Sequence, residues 1–289
     1  MGLSYQFTGK KMKTFTTLHE MTAWAQGQRR EGRRIGFVPT MGYLHAGHLS
    51  LVEEAKKQTD TVVVSIFVNP TQFGPQEDFA TYPRDEQRDL TLCQEAGVAA
   101  VFLPTPATMY APDASAFVDE ATLQHGLCGA RRPGHFRGVC TVVAKLFNIV
   151  LPDVAVFGQK DFQQAAIIRR MVRDLNFPVT VVVAPTLREP DGLAMSSRNA
   201  YLSAEERQQA LGLSRALDAA EVSFTAGMMP AEPFRRQMCE VLEQHGLRVD
   251  YAEIVDADTL APVENVVRGH VALIAAYCGK TRLIDNRVL

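Results

Sequence analysis

The stretch Ile35–Val68, IGFVPTMGYLHAGHLSLVEEAKKQTDTVVVSIFV, contains two short apolar runs separated by a helical pattern. Ile35–Val38 is β-prone, and Thr61–Val68 is almost entirely apolar and β-branched, which is typical of a parallel strand covered on both faces. Between them, Leu49–Lys57 places apolar residues on one face and charges on the other, as an amphipathic helix does. A strand, a helix and a second strand in this order predict a unit of a parallel sheet with a right-handed crossover.

The same alternation continues to about residue 185. The predicted helices are Arg84–Ala96, Thr141–Val150 and Phe162–Leu175, and the predicted strands are Ala99–Leu103, Ala155–Phe157 and Val179–Val183. We therefore predict an α/β fold with a parallel sheet. In such sheets ligands bind beyond the carboxyl ends of the strands, so residues that follow strands are the first candidates for chemistry.

The sequence after residue 187 has a different character, because it opens with a polar, turn-rich segment. Ser203 is predicted to cap a helix over Ala204–Ala220, with Glu206 completing a capping box. The further predicted elements are a helix over Pro230–His245 and strands over Tyr251–Val255, Val271–Tyr277 and Arg282–Val288. We predict a first domain over residues 1–186 and a smaller C-terminal α+β domain over 187–289. Residues 1–11, ahead of Met12, are interpreted as an N-terminal extension.

The composition excludes several classes of protein. The 289 residues are 46% hydrophobic with a net charge of −2, a globular composition without the basic surface that non-specific nucleic-acid binding needs. No run reaches the roughly 18 apolar residues of a membrane span, and the N-terminus lacks the apolar region of a secretory signal. The cysteines are widely spaced without a CxxC pair, which fits a reducing compartment. We expect a cytoplasmic protein that has neither nucleic acid nor a membrane as partner.

The first candidate site is the turn PTMGYLHAGH, residues 39–48, between a predicted strand and a predicted helix. Gly42 and Gly47 allow the backbone to turn tightly and to approach a ligand closely. The helix start favours an anion such as phosphate, and His45 and His48 could both face it as hydrogen-bond and proton donors. Two alternatives stay open: a pair of surface histidines, or a zinc site, for which no third ligand is evident in the sequence.

The second candidate site is VFGQKDFQQ, residues 156–164, where another strand leads through a glycine into a helix. Lys160 lies at the helix entry, where the dipole disfavours an ammonium group unless an anion binds there. Asp161 is either the helix cap or a direct ligand of the bound molecule. Gln164 lies one turn further on the same side, and its amide can donate to and accept from a hydroxyl or carboxylate.

The third candidate site is REPDGLAMSSRN, residues 188–199. Ser196, Ser197 and Arg198 place two hydroxyls and a guanidinium in sequence, which can grip a polyphosphate. The alternative interpretation is an exposed polar linker.

Several other polar groups are also candidates. For each of them the alternative is a turn or a solvated surface without a functional role. Asn69 and Gln72 follow the apolar strand that ends at Val68, where a substrate pocket is expected. The run RRPGHFRG, residues 131–138, is a basic loop that contacts anions or is solvated. Asp89 is either a ligand of a nucleotide-bound metal or part of a solvated helix face.

Together these segments resemble the pantothenate synthetase (pantoate–β-alanine ligase) family from about Lys13 to Leu289. The matching segments are PTMGYLHAGH, VVVSIFVNPTQF, YPRD, RPGHFRGV, FGQKDFQQ and DGLAMSSRNAYLS. The HxGH motif is common to the nucleotidylyltransferase superfamily and indicates adenylyl chemistry without naming a substrate. The combination of NPTQF with KDFQQ and LAMSSRN is much more specific.

The resemblance implies a Rossmann-like first domain with an HxGH nucleotide site, a C-terminal lid, a homodimer, and ATP with magnesium. It implies that the carboxylate of (R)-pantoate attacks the α-phosphorus of ATP, giving pantoyl adenylate and pyrophosphate. The amine of β-alanine then displaces AMP to form pantothenate, a precursor of coenzyme A. The alternatives are another small-molecule adenylyltransferase that releases its adenylate, and a catalytically silent nucleotide-binding module.

The resemblance also implies roles for individual residues. His48 is implied as the proton donor, with His45, Lys160 and Arg198 acting beside it. The implied ATP contacts are Met41, Gly42, Tyr43, Leu44, His45, Ala46, Gly47, His48, Gly158, Gln159, Lys160, Asp161, Leu187, Met195, Ser196, Ser197 and Arg198. Gln72 and Gln164 are implied to bind pantoate, and Gln72 also β-alanine, with Asn69 and Arg132 as pocket neighbours. Magnesium is implied to be held mainly by the ATP phosphates, with Asp89 as a further ligand. Two positions depart from the family, which usually has Glu at Gln159 and Val at Leu187.

Overall fold

The computed structural model describes residues 12–75 and 77–289, so the interpretation of residues 1–11 lies outside the described part of the chain. Within it, six strands form a parallel sheet in the order β1-β4-β3-β2-β5-β6. These strands are β1 (Lys13–Phe15), β2 (Ile35–Thr40), β3 (Thr61–Ile66), β4 (Ala100–Phe102), β5 (Val154–Gly158) and β6 (Thr180–Ala184). The predicted parallel α/β fold is therefore confirmed.

Helices connect the strands and cover both faces of this sheet. The helices of this part are α1 (Leu18–Arg30), α2 (Ala46–Lys56), α3 (Glu86–Glu95), α4 (Pro106–Met109), α5 (Leu127–Arg131), α6 (His135–Val150) and α7 (Phe162–Asp174). Phe37 and Phe102 pack with Phe147 of α6 on one face, whereas Val64 packs with Val52 of α2 on the other. This double coverage explains why Thr61–Ile66 is apolar along its whole length.

The C-terminal part forms a second, antiparallel sheet in the order β7-β8-β9. Its elements are α8 (Ala204–Gln209), α9 (Leu211–Thr225), α10 (Ala231–Gln244), β7 (Arg248–Val255), β8 (Val271–Cys278) and β9 (Thr281–Val288). One face of this sheet packs on α9 and α10 through residues such as Ile274, Leu217 and Phe234. Val271 and Leu273 belong to the same hydrophobic cluster as residues of the first sheet, so the two parts of the chain share a core.

Three details of the sequence prediction are wrong. The helix expected over Ala204–Ala220 is two helices, because the chain passes at Ala210 from the exposed α8 to the buried α9. The capping box of Ser203 and Glu206 is nevertheless present. The strand predicted over Val179–Val183, which we interpreted from its apolar sequence as buried, is the edge strand β6, whose residues are mostly half-buried.

The loop expected at residues 131–138 is also wrong in part, since α6 begins at His135 directly after Gly134. Gly134 has a φ of +81°, which a glycine adopts without strain, and it lets the short α5 segment turn into α6. The elements β1 and α1 have no counterpart in the sequence prediction. The division at residue 186 stays a prediction. Among the described residues, no helix combines the length and the apolar character needed to cross a bilayer.

Candidate active site

The three candidate segments come together at the carboxyl ends of the neighbouring strands β2 and β5. They line a cavity of about 210 Å³. Its predicted residues are Met41, His45, Gly47, His48, Asn69, Gln72, Gly158, Lys160, Asp161, Gln164, Leu187, Met195, Ser196, Ser197 and Arg198. This is the position that the crevice rule for parallel sheets predicts.

The cavity continues into a wider cleft of about 1110 Å³ between the two sheets. Lys160, Asp161, Gln164, Ser196 and Arg198 line both spaces, so they stand at the junction. The remaining predicted residues are placed differently: Arg132 lines only the cleft, while Gly42, Tyr43, Leu44, Ala46 and Gln159 line neither space. A ligand longer than the inner cavity can therefore extend past Lys160 into the cleft.

The two histidines form a cap at the start of α2. Nδ1 of His45 accepts a hydrogen bond from the Gly47 N–H at 3.1 Å, and Nδ1 of His48 accepts one from the His45 N–H at 3.2 Å. A neutral imidazole that accepts at Nδ1 carries its proton at Nε2, so the network assigns an Nε2–H donor to each ring. The ring centroids are 4.1 Å apart. The alternative of two independent surface histidines is thus excluded.

Burial, followed by the charge of Lys160, lowers the pKa of His45 to about 4. Burial and the neighbouring His45 and Lys160 hold the pKa of His48 well below its ordinary value of 6.5. Both rings are therefore neutral hydrogen-bond donors at pH 7 before a ligand binds. A bound polyanion raises both pKa values, because negative charge stabilises the imidazolium form.

The turn that precedes α2 is held by Asp89 of α3. Its two carboxylate oxygens accept hydrogen bonds from the Tyr43 and Leu44 N–H groups, each at 2.7 Å. Tyr43 has a φ of 51°, which is unusual for a residue with a side chain, and Asp89 fixes this conformation. A Cβ on Gly42 would lie 3.0 Å from Oδ2 of Asp89. The interpretation of Asp89 as part of a solvated helix face is wrong, because its side chain is buried under this turn.

The second segment enters α7 through a 3-10 turn over Gln159–Asp161. Asp161 occupies the N-cap position of α7, but its side chain makes no capping hydrogen bond. The interpretation of Asp161 as the helix cap is therefore wrong. Its carboxylate lines the cavity instead. Lys160 and Gln164 both line this cavity.

The third segment is anchored rather than exposed. Ser197 is buried and its hydroxyl donates to the Tyr43 carbonyl at 3.2 Å, which connects this segment to the histidine turn. The Arg198 guanidinium pairs with both carboxylate oxygens of Asp78, each at 2.9 Å, and lies 5.5 Å from the ring centroid of Tyr82. The alternative of an exposed polar linker is therefore wrong.

Gln72 and Asn69 form a buried amide pair after β3. Nε2 of Gln72 donates to Sδ of Met41 at 3.0 Å, and Nδ2 of Asn69 donates to Oε1 of Gln72 at 3.1 Å. The Tyr110 hydroxyl donates to Oδ1 of Asn69 at 2.8 Å. Tyr110 was missed by the sequence analysis, because it lies 41 positions along the chain from Asn69. Asn69 thus orients Gln72 towards the cavity.

A second group of contacts fixes the backbone of Gln72. Nδ1–H of His135 donates to the Gln72 carbonyl at 2.8 Å, and Nη1 of Arg132 donates to Nε2 of the same ring at 3.0 Å. Arg132 also forms an ion pair with Glu77. Burial, and then the charge of Arg132, lowers the pKa of His135 to about 4. The interpretation of a fully solvated loop is wrong, since Arg132 and His135 contact protein groups, whereas contact with an anion stays a prediction.

The neutral state of His135 predicts a pH-dependent stability. The unfolded chain binds a proton at this residue below a pKa of 6.5, and the folded chain only near 4, so the free energy of unfolding falls as pH drops through this window. Between pH 7 and pH 5, the free energy of unfolding of His135→Gln is expected to fall by about 1–2 kcal/mol less than that of the parent protein. Urea unfolding at both pH values measures this difference. His19→Gln, at an exposed position, is the control and should behave as the parent does. Identical losses in all three proteins would contradict the assignment.

This arrangement defines a nucleotide-binding α/β protein of the HxGH class: a strand, a glycine turn with two Nε2–H donors, and a helix. The family model described as pantoate-beta-alanine ligase matches residues 13–288. The chain belongs to the pantoate–β-alanine ligase family.

Individual relatives agree over nearly the whole length. The chain is 54% identical over 279 residues to a pantothenate synthetase of Thermotoga petrophila, covering 96% of this chain and 100% of the relative. The crystal structure of pantothenate synthetase from Thermus thermophilus has a TM-score of 0.91 at 47% identity, covering 96% and 99% of the two chains. A pantoate-beta-alanine ligase from Francisella tularensis, complexed with beta-gamma ATP and beta-alanine, has a TM-score of 0.82 at 32% identity, covering 96% and 98%.

Proposed function

We propose that this chain joins (R)-pantoate to β-alanine at the expense of ATP, forming pantothenate, AMP and pyrophosphate. The carboxylate of pantoate attacks the α-phosphorus of ATP and pyrophosphate leaves. The amine of β-alanine then attacks the acyl carbon of the adenylate, and AMP leaves. The observation that carries this proposal is a cavity lined by cations and imidazole donors together with the amides of Asn69, Gln72 and Gln164.

The cations and imidazole donors of the cavity suit the triphosphate. A carboxylate approaching a triphosphate meets like-charge repulsion, which Lys160, Arg198 and the two Nε2–H donors offset. His48 is the proposed proton donor to the phosphate oxygens, because its pKa rises when the anion binds beside it. Met195 and Leu187 lie at the edge of the cavity, where they can contact the nucleotide base.

The amides and apolar residues of the cavity suit a branched hydroxy acid. Gln72 and Gln164 can each donate to and accept from a hydroxyl or carboxylate. Val142, Val143 and Phe157 supply an apolar wall for the two methyl groups of pantoate. We propose that Gln72, which lines the same cavity, also contacts β-alanine.

We propose that magnesium acts with the ATP phosphates. The donor set fits an ion held mainly by phosphate and water, since no group of three metal-ligating side chains occurs within residues 12–75 and 77–289. Asp161 lines the cavity and is better placed to contact such an ion than Asp89, whose two oxygens hold the Tyr43–Leu44 turn. When bound, the ion offsets negative charge on the triphosphate.

The resemblance to the family supports three further parts of the proposal. We propose that residues 187–289 act as a lid, because Ser196–Arg198 reach the cavity from that part of the chain. We also propose a homodimer that works in the cytoplasm.

An assay of AMP release tests the function. Purified protein with ATP and magnesium is expected to release AMP in stoichiometric amounts with pantothenate only when pantoate and β-alanine are both present. Omission of either substrate serves as the control. Accumulation of a released adenylate without an amide product would favour another adenylyltransferase, and ATP binding without pyrophosphate release would favour a silent binding module.

A further inference from the structure

Two adjacent buried residues of β9, Asp285 and Asn286, contact both of the chain segments that carry the phosphate-binding groups. Neither residue belongs to the motifs of the site. They come from the C-terminal sheet, more than 80 positions along the chain from any cavity residue in the third segment. Buried polar side chains in such positions are retained where their hydrogen bonds fix a conformation.

Asn286 holds the turn that presents Lys160. Its Nδ2 group donates to the carbonyls of Gln159 and Lys160, both at 2.9 Å. Its Oδ1 accepts from Nε2 of Gln159 at 3.4 Å. The Asn286 amide thus donates to the carbonyls of two consecutive residues, which fixes the orientation of the peptide units on both sides of Lys160.

Asp285 holds the hairpin that leads to the third segment. Its carboxylate pairs with Nη1 and Nη2 of Arg188 at 2.6 and 2.9 Å, and the same guanidinium donates to the Gly192 carbonyl at 3.0 Å. The hairpin is closed by a bridge between Arg188 and Ala194. Asp285 also accepts from the Asn286 N–H at 2.8 Å, so the two residues form one connected group.

The Asn286 contact also includes the side chain at position 159. A glutamine there can donate to Oδ1 of Asn286, whereas a glutamate, which accepts only, would oppose one acceptor with another. Gln159 and Asn286 are therefore matched amides in this chain.

We propose that Asn286 is a positioning residue, which acts on the adenylation step by fixing the backbone of Lys160. The ammonium must meet the charge that develops on the departing pyrophosphate, and a misplacement of about 1 Å costs on the order of 10²-fold in rate. The inference rests on the role proposed for Lys160. It differs from a general stabilising role, because its effect must disappear when the Lys160 ammonium is absent.

The test is a double-mutant cycle on pantoate-dependent exchange between ATP and pyrophosphate. Asn286→Ala is expected to lower the exchange rate by about 10–100-fold. In the Lys160→Ala background the same change is expected to lower it less than about threefold, because the interaction is already lost. Where exchange is too slow to measure, the double-mutant cycle is completed with the ATP affinity of the same variants, measured by titration calorimetry. Thermal unfolding of every variant checks that the fold is kept, and Asn265→Ala, at an exposed position, is the matched control.

The outcomes separate this inference from the proposed function. Equal effects of Asn286→Ala in both backgrounds, or near-normal exchange in Asn286→Ala, overturn the positioning role. Near-normal exchange in Lys160→Ala overturns the role proposed for Lys160 and, with it, any action of Asn286 through that residue. If Asn286→Ala fails to fold, Asn286→Ser, which keeps one donor, enters the cycle in its place and is expected to retain part of the exchange rate.

Discussion

His48→Ala is expected to lower turnover by about 10²–10⁴-fold, the range usual for loss of one positioned proton donor. His48 lines the cavity together with His45 and Lys160, and burial and both of these neighbours lower its pKa, so its proton becomes available to a bound anion. Because His48 is neutral before ATP binds, the loss should appear in the rate of adenylation more than in ATP affinity. Pantoate-dependent pyrophosphate exchange and ATP titration measure the two quantities.

His48→Gln is the matched control for the cap of α2. Nδ1 of His48 accepts from the His45 N–H, and a glutamine at this helix position can accept the same bond. His48→Ala should therefore lose about 1 kcal/mol of stability that His48→Gln keeps, while both lose the imidazole that can release a proton and, with it, the catalytic rate. If His48→Gln turned over normally, the histidine would serve only as a cap and its role as proton donor would be wrong.

The sequence predicted the parts of this site that lie close together in the chain. Strand, glycine turn and helix follow one another within residues 35–57, so hydrophobic periodicity and the two histidines were sufficient to place His45 and His48 at a helix start. The same holds for Lys160 and Gln164, which share one helix entry and one turn. Their meeting at one edge of the sheet followed from the geometry of parallel strands.

The groups that hold these side chains in place could not be predicted in the same way. Asp89 accepts a hydrogen bond from the Tyr43 amide, which lies 46 positions away in the chain. Its charge on an amphipathic helix had indicated a side chain exposed to solvent. Asp78 is 120 positions from Arg198, and Asn286 is 126 positions from Lys160. A polar residue that is buried by tertiary contact has the same local pattern as one on the surface, so only the folded chain separates the two cases.

Arg198→Ala is expected to lower pantoate-dependent pyrophosphate exchange by about 10²–10³-fold, comparable with the loss of one fixed donor to a developing anion. The variant loses a guanidinium that lines the cavity and is proposed to stabilise the leaving group. It also leaves the half-buried carboxylate of Asp78 without its partner beside the incoming triphosphate. The two effects add in the same direction, since both increase the repulsion that the attacking carboxylate meets.

The double variant Arg198→Ala with Asp78→Ala separates these contributions. Removing the orphaned carboxylate should restore exchange several-fold over Arg198→Ala, and what is still missing is the contribution of the guanidinium itself. Arg198→Lys keeps a charge but cannot pair with two oxygens at once, so it should lie between the parent and Arg198→Ala. Exchange within threefold of the parent in Arg198→Ala would mean that the Asp78 pair persists when ATP binds. Arg198 would then serve to hold the loop of Asp78 and not the phosphates.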